Sequence, residues 1–532
     1  MSTSSAAKDT ILDFNLSPAD IERGTDALEQ GKRAQDSGAA QTNPTFANVI
    51  IPLATYENEG CTLNVSTDKD ICDATSMAAE EKLDELEGTP QGLFEGRATE
   101  VVDGQEGFVV MTKYPDIIPV MKMAKHEETR ELALRLEAAQ LLGYKTHAEF
   151  VLEENMAKAP VPVLEFEEDL LSRLNVLADT EIEEIEALKK ADKQAAGKPY
   201  AGLFGWDYRY YSNLVKERKH NINDEEVKQY FPIKEVTRSI LDIYQNMLSL
   251  RFVKIDNPPV WHADVEMYEV WEATEETFVG HFYLDLFPRE GKYNHAAVWP
   301  IRAGFNRPDG SREYPVAAMV ANFPKPTPSA PALLTHDDAT TLLHELGHVF
   351  HGICSVTKWA LFHGTRTERD FVEAPSQMLE NWSWEPSVLQ KFSMHHQTGK
   401  PIPEVLVKRH VAAKNEDASL FNLRQLFFGL YDMGIHNTAD GKVDTKELYN
   451  KLYEDIARFK IGSHDTWGIA TIGHMMGGYD AGYYGYMWSQ VFSADMYASR
   501  FVKDAASLTH RLAWTIATRS CVQAAATIPW TA

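Results

Sequence analysis

The sequence lacks the features that mark secreted, membrane-spanning or disulfide-stabilised proteins. Its 532 residues contain only four cysteines, and none of them is in the CxxC spacing of a thiolate metal site. No apolar run reaches the length of about 18 residues that a membrane span requires, and no basic segment followed by an apolar run stands at the start. We therefore predict a cytoplasmic protein without a membrane partner.

Positive charge is also scarce. Asp and Glu together number 78 against 52 Lys and Arg, which gives a formal net charge of −26 at pH 7. Such a surface repels phosphate backbones, so we expect no nucleic-acid partner. Hydrophobic residues nevertheless make up 44% of the chain, as in an ordinary globular protein, and the length exceeds what one compact core usually holds.

Helical periodicity dominates the chain. In residues 127–154 and 163–191, apolar side chains recur three and four positions apart among many charges, as in amphipathic helices. Strand-like runs are few: residues 277–285 and 316–323 are rich in β-branched and aromatic side chains and are bounded by Pro and Gly. The sequence therefore predicts a mainly α fold with one small sheet.

A possible metal site follows in the segment THDDATTLLHELGHVFHGIC. Thr335 can cap a helix that begins here. His344 and His348 are four residues apart, so both imidazoles lie on one helix face and can bind one zinc ion. Glu345 lies beside them and can activate a zinc-bound water. Taken alone, the motif also permits two surface histidines on an ordinary helix.

A zinc hydrolase needs a third protein ligand. His351 lies seven residues beyond His344, or about 10 Å along a helix, which is too far for both to bind one ion. Glu373 and Glu380, also seven residues apart, share a face of a second predicted helix. One carboxylate can bind the metal, and the other can accept the ring N–H of a ligand histidine. The spacing does not decide between the two.

The segment GHMMGGYDAGYYGY, residues 473–486, combines glycines with tyrosines and a histidine. Tyr479, Tyr483 and Tyr486 are four and three residues apart, which predicts that they share one face of a helix. The preceding glycines allow a loop to change conformation. From the spacing alone, a stripe of aromatic core residues is the preferred interpretation.

The segment NTADGKVDTKEL resembles a calcium-binding loop only superficially. With Gly441 at the sixth position, the first and third ligands would be His436 and Thr438, which bind a hard cation poorly. We predict instead a turn followed by a helix that Asp444 caps.

Three segments carry a resemblance to a known family. HELGHVFHGIC, HGTRTERDFVEAPSQMLENW and GHMMGGYDAGYYGYMWSQVFSADMY resemble the thimet oligopeptidase, neurolysin and saccharolysin family of zinc oligopeptidases, and the similarity is nearly continuous from residue 114 to residue 501. It implies a two-lobed helical channel fold with a small β-sheet beside the HExxH helix. It also implies a monomeric metallo-endopeptidase that binds one Zn²⁺ per chain and hydrolyses short peptides.

The resemblance also assigns individual residues. It implies that Glu373 is the third zinc ligand, that Glu380 orients a ligand histidine, and that Glu345 is the catalytic base. His474 and Tyr483 are implied to lie near the oxyanion of the tetrahedral intermediate. The residues implied to bind substrate are Gly477, Gly478, Tyr479 and Tyr486. We further expect the strand at residues 318–323 to pair with the peptide backbone.

The chain departs from the family pattern at two places. Near residues 83–86 the sequence passes from an early helix of the family pattern directly to a much later segment of that pattern, so that a stretch of helices is omitted. After about residue 503 the sequence no longer resembles the family. We therefore predict an N-terminal helical segment with an incomplete lobe (1–88), a catalytic region (89–502) and an atypical tail (503–532). The departures support an alternative hypothesis of a catalytically silent chain that binds peptide or zinc.

Overall fold

A computed structural model describes residues 99–102, 105–108, 127–274, 277–307, 309–327, 331–462, 468 and 472–502. The predicted segment 1–88, the departure at residues 83–86 and the tail 503–532 lie outside these ranges. The three predicted regions therefore stay predictions.

Helices dominate the described part of the chain, which confirms the mainly α fold. None of them combines the length and the apolar composition needed to cross a membrane. The α-helices are α1 (Glu127–Leu141), α2 (His147–Leu152), α3 (Pro160–Ala195), α4 (Tyr208–His220), α5 (Asp224–Lys228), α6 (Ile233–Leu248), α7 (His336–Ile353), α8 (Glu373–Glu380), α9 (Pro386–Phe392), α10 (Glu404–Ala412), α11 (Ala418–His436), α12 (Thr445–Ile456) and α13 (Gly485–Tyr497).

The predicted small sheet is present and packs against α7, the helix that carries the HExxH motif. Its five strands have the order β3-β4-β5-β9-β6, with β5 and β9 parallel and the other pairs antiparallel. Two further two-stranded sheets pair β1 with β2 and β7 with β8. The strands are β1 (Thr99–Val102), β2 (Gln105–Phe108), β3 (Leu250–Lys254), β4 (Glu266–Glu272), β5 (Phe278–Asp285), β6 (Ala297–Arg302), β7 (Phe305–Asn306), β8 (Arg312–Glu313) and β9 (Val316–Val320).

The helix predicted over residues 127–154 is interrupted. It ends at Leu141, because Gly143 has a φ of +92° that reverses the chain. A new helix begins at His147, where the hydroxyl of Thr146 accepts a hydrogen bond from the Glu149 N–H at 3.1 Å. The helix predicted over residues 163–191 is longer than expected and forms α3.

The expectation that residues 318–323 pair with a substrate backbone is wrong. Strand β9 lies inside the sheet, between β5 and β6. Beyond the strand, the N–H groups of Ala321 and Phe323 donate to the carbonyls of Asp285 and Leu286, at 2.8 and 2.9 Å. The backbone of this segment is therefore already paired, and the free edge on this side of the sheet belongs to β6.

Two large apolar clusters form the core. The first joins the inner face of the sheet to α6, α7, α9 and α10, and it includes Phe282, Met319 and Leu346. The second joins α3, α4, α11 and α12 to the tyrosine segment, and it includes Phe427 and Tyr483. The helix with the HExxH motif and the tyrosine segment therefore belong to different clusters.

Helices α3 and α11 approach each other closely at Gly429. The side chain of Glu167 is fully buried against this glycine, and its two oxygens have no hydrogen-bond partner among the described residues. Burial raises the pKa of Glu167 well above its usual value, and the nearby charge of Asp432 adds to the shift. Gly429 thus leaves room for the carboxyl of Glu167, whose neutral form burial favours.

We predict that Gly429→Ala destabilises the protein by about 1–3 kcal/mol, because the new methyl group overpacks this contact. A Cβ at Gly429 would lie 1.7 Å from Glu167 Oε1. The measurement is the free energy of unfolding in urea. Gly352→Ala is the matched control, because Gly352 is also helical and a Cβ there meets nothing within 4 Å.

The destabilisation caused by Gly429→Ala should disappear in the background of Glu167→Ala, since the second change removes the atoms that clash. Equal stability of Gly429→Ala and Gly352→Ala would contradict the prediction.

Candidate active site

Helix α7 begins where the sequence predicted. The hydroxyl of Thr335 accepts a hydrogen bond from the Asp338 N–H at 3.0 Å, and the Asp338 carboxylate accepts one from the Thr335 N–H at 2.8 Å. This reciprocal pair is a capping box, which satisfies two backbone donors that the helix leaves open. The apolar side chains of α7, among them Leu342, Leu346 and Val349, are fully buried and fix the rotation of the helix about its axis.

A second helix, α8, packs closely against α7 at Gly347. A Cβ at Gly347 would lie 3.0 Å from Ser376 Cα and 3.1 Å from Leu379 Cδ1, so a larger residue would push the helices apart. Glu373 is the first residue of α8 and is buried. The close approach of the two helices brings its carboxylate to the two histidines of α7.

Three candidate ligand atoms converge between these helices. His348 Nε2 lies 3.2 Å from His344 Nε2 and 3.1 Å from Glu373 Oε2, and His344 Nε2 lies 3.3 Å from Glu373 Oε2. Ligand atoms of a tetrahedral zinc site with bonds of about 2.0 Å are about 3.3 Å apart. His344, His348 and Glu373 therefore fit one zinc ion, and His351 is not part of this group.

The outer nitrogen of one histidine is also held. His344 Nδ1 donates to Glu380 Oε1 at 2.7 Å, which turns Nε2 toward the other two candidate ligand atoms. Although burial lowers the pKa of His344, its hydrogen bonds with Glu373 and Glu380 outweigh that effect and raise the pKa to about 10. Burial opposes ionisation of Glu373, but the hydrogen bonds from His344 and His348 hold its pKa well below the usual value. The site thus favours positive charge between its ligand atoms.

Glu345 lies beside these candidate ligands. The residue is only 7% exposed. Burial raises the pKa of Glu345, and the charges of His344 and His348 partly offset that shift. A raised pKa makes the carboxylate a stronger base.

The tyrosine segment is not the helix that the spacing predicted. Residues 479–484, which we call the tyrosine turn, form a turn, and α13 begins only at Gly485. Ala481 has a φ of 51°, which no α-helix contains. The N–H groups of Ala481 and Tyr483 donate to the carboxylate of Asp432 at 2.9 and 3.0 Å instead of continuing a helical ladder.

The tyrosine rings nevertheless gather around His474. The centroid of the His474 ring lies 5.8, 5.5 and 5.8 Å from those of Tyr479, Tyr483 and Tyr486. Burial lowers the pKa of His474, and the nearby His295 adds to that shift. The imidazole is therefore neutral at pH 7, and one ring nitrogen carries a proton to donate.

The hydroxyl groups of this cluster have defined partners. Tyr479 Oη donates to Glu373 Oε1 at 2.8 Å, which connects the tyrosine turn directly to a candidate ligand. Tyr483 Oη lies 3.0 Å from Gln425 Oε1 and donates to it. Burial raises the pKa of Tyr483 to about 12, so its hydroxyl keeps its proton at neutral pH.

The glycines before the turn are exposed. Gly478 has a φ of +88°, a conformation that a side chain would disfavour, and the Gly477 N–H donates to the His474 carbonyl at 3.1 Å. The Arg369 guanidinium lies 5.2 Å above the Tyr479 ring, next to this loop.

The helix that the sequence predicted after residue 444 is present. Asp444 caps α12, since its carboxylate accepts the Glu447 N–H at 2.8 Å. His436 lies at the end of α11 and donates from Nδ1 to Asp432 Oδ1 at 2.7 Å.

Asp432 and Gln425 were not among the residues that the sequence predicted for the site. Both lie on α11, seven residues apart and therefore on one face, in a helix whose other buried residues are mostly apolar. An aspartate in such a stretch is a signal of its own, because a buried carboxylate needs hydrogen-bond donors. The sequence contained that signal, but it did not identify the distant turn that supplies the donors.

Comparison with known proteins identifies the family of this chain. The model described as "Peptidase family M3" matches residues 124–512. "Thimet-like oligopeptidase" of Dictyostelium discoideum is 38% identical over 445 residues, covering 78% of this chain and 66% of that protein. "Saccharolysin" of Saccharomyces cerevisiae is 37% identical over 457 residues, covering 79% and 64%.

A bacterial relative, "Oligopeptidase A" of Escherichia coli, is 33% identical over 458 residues, covering 79% of this chain and 66% of that protein. The chain thus spans slightly less than two thirds of the length of these curated relatives. The family model covers well over half of the chain and includes both helices of the candidate metal site together with the tyrosine turn. The resemblance noted in the sequence is confirmed, and the chain belongs to peptidase family M3.

Proposed function

We propose that this protein is a zinc metallo-endopeptidase that hydrolyses short peptides. The observation that carries the proposal is the triangle of ligand atoms from His344, His348 and Glu373, with edges of 3.1 to 3.3 Å. The names of the relatives, which include oligopeptidases from a yeast and a bacterium, support the substrate class. A cytoplasmic location and a monomeric state remain predictions from the sequence.

His344, His348 and Glu373 would hold the metal, and the fourth position would stay open for water or substrate. When bound, zinc lowers the pKa of water to about 7 and polarises a carbonyl oxygen. Glu380 would keep His344 in the tautomer that binds, because it accepts the proton on Nδ1.

Glu345 is the proposed general base. Its carboxylate takes a proton from the attacking water and then passes it to the amine of the leaving peptide fragment. Burial raises the pKa of this carboxyl, which makes its carboxylate a stronger base for the first transfer.

His474 and Tyr483 are the proposed donors to the oxyanion that forms on the scissile carbonyl. The neutral imidazole and the un-ionised phenol each have one hydrogen to donate. Tyr483 now donates to Gln425, so its hydroxyl exchanges that partner for the oxyanion during the reaction. The proposed contacts with the peptide come from Gly477, Gly478, Tyr479 and Tyr486.

We assign pairing with the substrate main chain to β6, since it is the open edge of the sheet and lies beside α7. Main-chain hydrogen bonds to a strand edge tolerate many side chains, which suits an enzyme that acts on varied peptides. Pro300 interrupts this edge, because it has no N–H to donate.

We predict one zinc ion per chain. His344→Ala and Glu373→Ala should each abolish tight binding, since two ligands do not complete the site. The measurement is elemental analysis after dialysis, combined with hydrolysis of a quenched short peptide before and after chelation. Zinc should restore activity to the chelated parent. Full zinc retention in either variant would show that the ligands are wrongly assigned.

We predict that Glu345→Gln retains zinc and loses nearly all hydrolysis. The amide has the size of the carboxyl but cannot accept the proton from water. Zinc content and turnover of the same preparation provide the measurement. A variant as active as the parent would remove Glu345 from the mechanism, and a zinc-loaded parent without turnover would favour the alternative of a silent chain.

We predict that Tyr483→Phe lowers turnover by about a hundredfold while zinc content stays unchanged, because one donor to the oxyanion is lost. The ring remains, so the packing of Tyr483 against Phe428 at 5.2 Å is preserved. The measurement is the turnover of Tyr483→Phe and of the parent in steady-state kinetics on the quenched peptide. Turnover equal to that of the parent would mean that the residue only fills the core.

A further inference from the structure

The tyrosine turn has a backbone that its own sequence does not favour. Ala481 adopts a φ of 51°, in the left-handed region where residues with a Cβ are rare. Tyr479 and Tyr483 have the spacing of a helix, and α13 begins directly after the turn. Some contact outside the turn must therefore hold it in place.

One such contact is Asp432, which binds the backbone of the turn; the side chain of the turn residue Asp480 makes another, a hydrogen bond with His147 Nε2 at 2.7 Å. The two carboxylate oxygens of Asp432 accept the N–H groups of Ala481 and Tyr483 at 2.9 and 3.0 Å, and its side chain is completely buried. An isolated buried carboxylate is costly, so the turn supplies hydrogen bonds that the carboxylate needs. Asp432 and the turn thus depend on each other.

His436 completes the arrangement on the same helix. Its Nδ1 donates to Asp432 Oδ1 at 2.7 Å, and its Nε2 lies 2.8 Å from Arg135 Nη1, which donates to it. These two contacts define one neutral tautomer with the proton on Nδ1. Arg135 Nη2 also donates to the Met475 carbonyl at 2.8 Å, next to His474. The hydrogen bonds of Arg135 and His436 therefore hold both the segment before the turn and, through Asp432, the turn itself.

Besides the packing of Phe428 against its ring, Tyr483 donates two hydrogen bonds to helix α11. Asp432 accepts its backbone N–H, and Gln425, seven residues earlier on the same face, accepts its hydroxyl. During the proposed reaction the hydroxyl of Tyr483 must exchange Gln425 for the oxyanion. The hydrogen bond from the Tyr483 N–H to Asp432 can persist throughout. The backbone contact is thus the one suited to fix where the phenol points.

We propose that Asp432 is a positioning residue for the proposed peptidase reaction: it fixes the tyrosine turn so that the hydroxyl of Tyr483 reaches the oxyanion. Asp432 touches neither substrate nor metal ligand in this role and acts through Tyr483. The inference rests on the proposed function, in which Tyr483 is an oxyanion donor.

The test is a double-mutant cycle of Asp432→Asn and Tyr483→Phe in the full-length, zinc-loaded protein. Asparagine keeps the shape but turns one acceptor into an N–H donor that faces another donor. We expect Asp432→Asn to lower kcat on the order of tenfold to a hundredfold, as a misplaced catalytic group does, with KM changed less than about threefold.

In the Tyr483→Phe background, the same Asp432→Asn change should lower kcat less than about threefold further, because the group that it positions is already gone. Zinc content should stay constant in all four proteins. Independent effects that multiply would overturn the proposal, since they would show that Asp432 does not act through Tyr483.

Hydrogen exchange of the amides in residues 479–484 provides a readout that needs no turnover. Exchange at Ala481 or Tyr483 should accelerate in Asp432→Asn, because one of the two acceptor oxygens becomes an NH2 group. Unchanged exchange would overturn the proposal as well. If Asp432→Asn does not fold, His436→Gln, which leaves the carboxylate but removes the imidazole that orients it, replaces it in the same cycle and the same exchange measurement.

Asp207→Asn is the matched control. Asp207 is also a buried carboxylate, and it accepts hydrogen bonds from Lys189 and from the Phe204 N–H, both outside the turn. We expect unchanged kcat and unchanged exchange at residues 479–484, so an equal loss of kcat in this control would attribute the effect of Asp432→Asn to general destabilisation and overturn the proposal.

The experiment also separates failure of this inference from failure of the proposed function. A zinc-loaded parent without turnover would refute the function, and exchange alone would then decide whether Asp432 holds the turn. An active parent with an equally active Tyr483→Phe would remove Tyr483 from the chemistry and overturn the positioning role with it.

Discussion

The close contact of α7 and α8 at Gly347 is the constraint on which the site depends. Two histidines four residues apart can face one point from a single helix, but the third ligand must come from elsewhere. Glu373 reaches that point because Ser376 packs against the Cα of Gly347, where a side chain would lie 3.0 Å from Ser376 Cα. Helix packing thus sets the ligand geometry to within a few tenths of an ångström.

The proposed oxyanion donor Tyr483 comes from the second apolar cluster. Tyr483 packs in that cluster together with α11, whereas the α7 leucines belong to the first. The hydrogen bond from Tyr479 to Glu373 is a direct connection between the tyrosine turn and the candidate metal ligands. The proposed site therefore lies where two independently packed cores meet, as is common for sites that bind ligands.

Local patterns in the sequence predicted the features that depend on neighbours along the chain. The cap at Thr335, the strand Phe278–Asp285 and the shared face of His344 and His348 follow from spacing and residue type alone. The tyrosine turn could not be predicted in this way. Its spacing fits a helix, but a carboxylate about fifty residues earlier in the chain offers its N–H groups better acceptors.

The same distinction explains the error about the strand at residues 318–323. Its composition correctly predicted a strand, but composition does not reveal which strands lie at an edge. In the structure, β6 follows β5 in sequence but pairs on the far side of β9, so the strand that comes last in sequence is internal. The open backbone beside α7 therefore belongs to a segment whose own pattern gave no sign of a strand.

Burial gives the candidate residues the protonation states that the proposed reaction needs. It raises the pKa of Glu345 and of Tyr483, and it lowers that of His474. A phenol with a pKa of about 12 and a neutral imidazole remain hydrogen-bond donors throughout the neutral pH range, and a raised pKa makes the carboxylate of Glu345 a stronger base. Glu345 and Tyr483 owe these shifts to burial in the packed interior, whereas His474 is an exposed residue that the tyrosine rings around it shield from water only in part.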